Sequence, residues 1–181
     1  MLIPSIVHRR SIRKYTDQPV EEDKLMAVLE AARLAPSGNN SQPWYFIVIT
    51  DPEVKAAVIE ADHAQAWMRS APVLIACVAD AGVRLKDDPD LHIDEDSSQF
   101  QVKQIVRDTA IATTHILLQA DALGLGTCWT GFYNQQDMRA ALHLPTDKFV
   151  VGIITLGYPA EDPPQRSRRA LEDMVRFQLW E

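Results

Sequence analysis

Apolar residues recur along this chain in three rhythms, each predicting its own kind of element. From Glu21 to Leu34, Leu25, Val28, Leu29 and Ala32 fall three and four apart, which predicts a helix with acids in its first turn, where the dipole favours them. Pro36 stops it. The run Pro36-Ser37-Gly38-Asn39-Asn40-Ser41-Gln42-Pro43 is dense in turn formers and predicts a loop. Trp44 to Thr50 is aromatic and β-branched, as in a strand, and Asp51-Pro52 opens a helix to about Ala61 with an N-cap and a first-position proline. Val73 to Ala79 is apolar without a break, which predicts a strand covered on both faces. Between Gln99 and Leu123 a long helical pattern becomes apolar nearly all round in its second half, so it lies in a core or between subunits. Gly124 and Gly126 close it. Thr127–Tyr133 and Phe149–Tyr158 predict two more strands, with a short helix from Gln135 to Leu142 between them. From Pro159 the tail carries Pro163-Pro164 and predicts an extended arm that ends in a turn near Leu171 to Phe177. Residues 80–98 stand apart: six acids fall between Asp87 and Asp96 around Pro89, which predicts an exposed loop or lid.

No linker divides the pattern, so residues 1–181 are expected to form a single α+β or α/β domain with a C-terminal arm. At 181 residues, with 46% hydrophobic and 24% charged, the composition is that of a folded chain. Such a chain hides roughly 70% of its unfolded surface without help from a disulfide or a metal. Cys77 and Cys128 are far apart and form no C-x-x-C pair, which excludes a disulfide scaffold and a thiolate zinc site and points to a reducing cytoplasm. The apolar stretch Leu2–Val7 is short, contains Pro4 and precedes its basic residues, unlike a signal peptide. No run of eighteen apolar residues predicts a membrane span. The net charge of −7 argues against nucleic acid as a partner. Against that acidic background, H-R-R-S-I-R-K at 8–14 and R-S-R-R at 166–169 are either anion sites or solvated charged faces.

Hydrolytic signatures are missing. There is no G-x-S-x-G elbow and no H-E-x-x-H, and no two of the five histidines fall at i, i+4 spacing. His115, inside the long helix, reads as a hydrogen-bonded core residue. Gly124-x-Gly126 followed by Gly131 misses the dinucleotide fingerprint, because it closes a helix instead of opening one. What remains is anion binding and flat-ligand chemistry. Arg9, Arg10, Ser11 and Arg13 bring guanidinium forks and a hydroxyl together, and Arg166 and Arg168 offer a second hold on a phosphate. The Ser37-to-Gln42 loop has amides and hydroxyls suited to a heterocycle's edges. Trp129 stands beside small Thr130 and Gly131, where backbone N–H groups can approach a flat ligand. Together these features point to a phosphorylated aromatic cofactor.

The segment R-R-S-I-R-K-Y-T-D-Q-P-V, followed by A-R-L-A-P-S-G-N-N-S-Q-P-W, resembles the opening of the nitroreductase-like FMN flavoproteins. A-L-G-L-G-T-C-W-T-G-F and L-G-Y-P-A-E-D-P-P resemble the later blocks of that family, in the same order. The resemblance covers everything except about residues 80–98. It implies an α+β sandwich, a mostly antiparallel sheet flanked by helices, and an interlocked homodimer with two FMN sites built from both chains. By position, Arg9, Arg10 and Ser11 hold the phosphate and ribityl chain, Arg166 or Arg168 closes over the phosphate, and Arg13 faces the pyrimidine edge. Pro36, Ser37, Gly38 and Asn40 approach the flavin from the partner, while Cys128, Trp129, Thr130 and Gly131 lie along the ring, the last two beside the hydride-accepting nitrogen. The implied reaction is ping-pong: NADH or NADPH donates a hydride, and a small electron-poor acceptor such as a nitroaromatic or quinone then takes it. A flavin-storage module, a dehalogenase-like relative and a flavin-destroying relative are the alternatives. His63, Gln65 and Trp67 either line the cavity or are structural, Tyr15 and Trp44 read as core, and Arg84, in the unmatched region, has no expected part in binding cofactor.

Overall fold

The computed structural model describes residues 1–85, 91–97 and 100–179, with the backbone alone at Gln101. The expectations for Gln99 and for Asp87, Asp88, Pro89 and Asp90 lie outside the described residues. Five helices, α1 (Pro4–His8), α2 (Glu22–Arg33), α3 (Pro52–Ala61), α4 (Phe100–Ala122) and α5 (Gln135–Leu142), accompany four strands among those residues. The strands are β1 (Trp44–Ile49), β2 (Val73–Asp80), β3 (Gly126–Thr130) and β4 (Lys148–Gly157). They form one sheet in the order β1-β2-β4-β3, every neighbouring pair antiparallel.

The unbroken apolar run of β2 is explained by its place inside that sheet, where all of its residues are buried. Successive side chains point to opposite faces. Leu74, Ala76 and Val78 pack with Val58 and Ile59 of α3 and Met138 of α5. Val73, Ile75 and Cys77 pack with Val28 and Ala32 of α2 and Ala112 and Ile116 of α4. Helices therefore cover both faces, an α+β architecture. Asp51 caps α3 as its sequence indicates, its Oδ1 accepting from the N–H groups of Glu53 (2.9 Å) and Val54 (3.0 Å). His115 is half-buried and hydrogen-bonded, its Nδ1–H donating to Ala31 O at 3.0 Å.

Several expectations are corrected. Pro4 does not interrupt its apolar stretch: it occupies the first turn of α1, where a missing N–H costs nothing. β3 begins at Gly126 and stops at Thr130, because its ladder with β4 ends at the Thr130–Ile153 pair and Asn134 already caps α5. Over its described part, 91–97, the acidic segment is a loop with His92, Glu95 and Asp96 exposed, as expected, but it is anchored to the core. Leu91 and Ile93 are buried with Ala79, Val102 and Ile105, the Ile93 N–H donates to Thr146 O (3.0 Å), and Glu95 accepts from the first N–H of α5 (2.6 Å). The tail from Ala160 to Leu179 is mostly exposed and contains a single turn, Leu171–Asp173, shorter than the pattern suggests.

Candidate functional site

The outer edge of β3 is where the site begins. Ser11 pairs with Thr127 in a parallel bridge, and the Ile12 N–H donates to Thr127 O at 2.9 Å. That approach needs a glycine opposite, since a Cβ on Gly126 would lie 2.8 Å from Ile12 Cγ1. Tyr15 secures the segment from within: its buried hydroxyl donates to Ile12 O (2.7 Å) and meets Thr155 Oγ1 (2.6 Å). Burial pushes this phenol far up, so it keeps its proton. The tail is laid alongside by Thr16 N–H to Tyr158 O and Ala160 N–H to Lys14 O, both 2.9 Å.

These bonds bring the two basic knots together. Arg9, Arg10, Ser11 and Arg13 face Pro163, Pro164, Arg166 and Arg168 across a cavity of about 210 Å³. Its wall carries five arginines and, among the described residues, no carboxylate. Arg9 Nε is buried without a partner. The backbone N–H of Arg13 donates to Glu161 Oε1 at 2.6 Å, whereas Arg10 Nη1 is turned onto the carbonyls of Val7, His8 and Arg9 (2.7–2.9 Å). Concentrated positive charge with one buried, unpartnered guanidinium N–H fits an oxyanion such as a phosphate ester.

Along β3 the side chains divide. Trp129 turns its half-buried ring over Gly152 toward the α2–α4 side of the core. Cys128, on the other face, has its thiol pushed up by burial, with Arg13, Ser11 and Arg9 pulling the other way. Thr130 is buried and tied down: its hydroxyl donates to Asp62 Oδ2 (2.7 Å) and accepts from Gln65 Nε2 (2.9 Å). Gln65 also donates to Asp62 (2.8 Å) and accepts from the Trp67 indole (2.9 Å), and Arg13 lies 5.7 Å above the Trp67 ring. Arg13 and Thr130 are thus joined through Trp67, Gln65 and Asp62. Asp62 has no motif that announces it, and sequence reasoning missed it. His63 and Ala64 follow it at φ of 56° and 51°, and His63 stacks on Phe132 with centroids 4.2 Å apart.

Pro36, Ser37, Gly38 and Asn40 do not line the arginine cavity. They occupy the loop after α2, where Asn39, Asn40 and Gln42 all have positive φ. Arg84, expected to take no part in binding cofactor, lies against this loop: its Nη2 donates to Asp108 Oδ2 (2.8 Å), Ser41 Oγ (3.1 Å) and Gly38 O (3.3 Å). Elsewhere, a cavity of about 690 Å³ beside α5 is lined by His92, Asp94, Glu95, Arg139 and His143 among others, none of them predicted. Among the described residues no His, Cys, Asp or Glu group could hold a metal, and no helix is long and apolar enough to cross a membrane.

A protein-family model described as the nitroreductase family matches residues 6–67 and 57–158. The chain is 35% identical to a NADH dehydrogenase/NAD(P)H nitroreductase of Methanothermobacter thermautotrophicus, over 99% of this chain and 87% of the relative. It is 33% identical to an NAD(P)H FMN reductase of Bacillus subtilis, over 92% of this chain and 69% of the relative. The crystal structure of a protein of the same family from Clostridium difficile superposes with a TM-score of 0.79 at 30% identity, covering 99% of both chains.

Proposed function

The chain belongs to the nitroreductase family, and from that premise we propose how its residues serve the reaction. It is an NAD(P)H-dependent flavin oxidoreductase with FMN as cofactor. When bound, the flavin supplies hydride acceptance and donation, which protein side chains cannot. The single observation that carries the site is the arginine cavity, whose five guanidiniums and Ser11 hydroxyl fit a phosphate ester.

In this reading Arg9, Arg10 and Ser11 hold the phosphate and ribityl chain, and Arg166 and Arg168 close over the phosphate. Arg13 lies at the pyrimidine edge, where a cation favours the added negative charge of the reduced cofactor. Thr130 and Gly131 border the hydride-accepting position. Because the Thr130 hydroxyl is spent on Asp62, that residue offers its backbone to the ring. Cys128 and Trp129 contribute backbone beside it. Pro36, Ser37, Gly38 and Asn40 serve the site of a second chain, so the active form is a homodimer of single-domain subunits. NADH or NADPH and an electron-poor small molecule, a nitroaromatic or quinone, use the same opening in turn.

The test is direct. The protein should purify yellow with one FMN per chain, and anaerobic NADH or NADPH should bleach the flavin rapidly. Arg9→Ala should weaken FMN binding roughly tenfold to a hundredfold, the loss of charge-assisted hydrogen bonds of about 1.5–3 kcal/mol. A colourless protein that takes up no added FMN would overturn the reading. Bound flavin that NAD(P)H leaves oxidised would instead indicate a storage module.

A further inference from the structure

Resting on that reading, we propose that Arg84 and Asp108 are positioning residues of the flavin site, an ion pair that clamps the Ser37–Ser41 loop in the conformation offered to FMN. Arg84 follows the turn Ala81–Val83 at the end of β2, and Asp108 comes from α4. Their 2.8 Å contact is shielded, with side chains 17% and 13% exposed. Both partners close on one residue of the loop. The Gly38 N–H donates to Asp108 Oδ2 (3.2 Å), and the Gly38 carbonyl accepts from Arg84 Nη2 (3.3 Å). The same Nη2 reaches Ser41 Oγ (3.1 Å), and Nη1 is anchored by Gln104 Oε1.

The loop needs an external hold. Asn39, Asn40 and Gln42 are left-handed without being glycine; asparagine accepts that conformation readily, whereas for Gln42 it persists only where its surroundings impose it. Within the loop, the Asn40 N–H donates to Ser37 O (3.0 Å), the Ser41 N–H to Gly38 O (3.1 Å) and the Gln42 N–H to Ser37 Oγ (2.9 Å); these bonds shape the turn, while Arg84 and Asp108 tie it to β2 and α4. Stability alone is a weak reason to keep such a pair, because desolvation offsets most of what a buried ion pair gains, and here Arg84 Nε is left buried without a partner. A loop already in its bound shape, by contrast, avoids the cost of ordering when ligand arrives.

The experiment titrates FMN into full-length apoprotein, following flavin fluorescence well below every variant's thermal midpoint. Arg84→Gln and Asp108→Asn should each raise the dissociation constant about tenfold or more, and the double variant should be no worse than the weaker single, since the pair acts as a unit. Gly38→Ala tests the same contact while keeping both charges: its Cβ would meet Arg84 Nη2 at 2.7 Å. It should weaken FMN in the parent protein and add nothing to Arg84→Gln. Should the charge variants fail to fold, Gln104→Ala, which releases Arg84 Nη1 without touching the flavin-facing loop, decides in their place. A pair that only braces the fold would lower the apoprotein and holoprotein midpoints alike and leave all dissociation constants within about twofold of the parent, and that result overturns the proposal. Arg9→Ala runs in parallel: if it loses FMN while these variants do not, this inference fails and the arginine cavity stands. If Arg9→Ala binds normally, the reading of the cavity is what fails.

Discussion

Asp62 shows what a single residue contributes here. It is fully buried, its Oδ2 accepts from Thr130 and Gln65, and its Oδ1 has no partner. Burial raises the carboxyl's pKa above its ordinary value, and the hydrogen bonds from Thr130 and Gln65, with smaller help from His63 and the Phe132 backbone, offset this only in part. A folded-state pKa above the unfolded one gives stability at low pH that is lost as pH rises through the raised value. Asp62→Asn keeps an acceptor for Thr130 and Gln65 but carries no charge. It should therefore gain on the parent protein as pH rises from about 4 to 8, measured by urea unfolding at several pH values. Asp62→Ala should cost about 1–3 kcal/mol across the range, because two buried donors lose their acceptor. Parallel curves for the parent and Asp62→Asn would show that ionisation of this group carries no penalty. The thiols behave as inert core groups by the same physics: burial pushes Cys77 up to about 12.

Elements are positioned by contacts between segments far apart in sequence, and Tyr15 is the clearest case. Its hydroxyl fastens the arginine-bearing segment to β4 through Ile12 and Thr155. Tyr15→Phe keeps the ring in the core and removes both bonds, so it should cost about 1–3 kcal/mol in urea unfolding and loosen the arginines as well. FMN affinity should then fall although no cofactor contact has been deleted, and unchanged affinity would show that the segment is held by its backbone pairing alone. Contacts of this kind also mark what could be read from the sequence. The strands and helices were legible wherever apolar spacing was strong, as in β2, α3 and α4, and Asp51-Pro52 announced its cap. The two arginine knots were legible as chemistry, since acidic surroundings made them conspicuous. The short α1, the anchoring of residues 91–97, and the Asp62 and Arg84 networks were not. Each depends on a partner dozens of positions away, such as Thr130 for Asp62 and Asp108 for Arg84, and nothing local in composition marks such a pair.

At the scale of the whole molecule, large apolar side chains lie exposed on three separate elements. In α1, Ile3, Ile6 and Val7 face outward; on α4, Ile111 is 40% exposed; on the tail, Leu171, Met174, Phe177 and Leu179 are exposed, Phe177 at 79%. The tail has almost no periodic structure with which to cover itself. The loop carrying Ser37, Gly38 and Asn40 is pre-shaped yet lies off the arginine cavity of its own chain. The proposed homodimer would account for these facts together if two chains packed their α4 helices against each other, each tail crossed the other chain and each loop completed the neighbour's flavin site. A two-fold interface of this kind buries the same residues on both subunits. Cofactor binding and assembly are then linked, because a ligand that binds only the dimer draws monomers into it. Sedimentation at micromolar concentration should show a dimer, and added FMN should raise the thermal midpoint and shift the monomer–dimer balance of dilute apoprotein toward dimer. Ile111→Glu, which sets a charge on the exposed stripe of α4, should weaken dimerisation and FMN binding together while leaving the subunit folded. A sharp monomer that still held FMN tightly would refute the shared site, since half of each pocket would be missing.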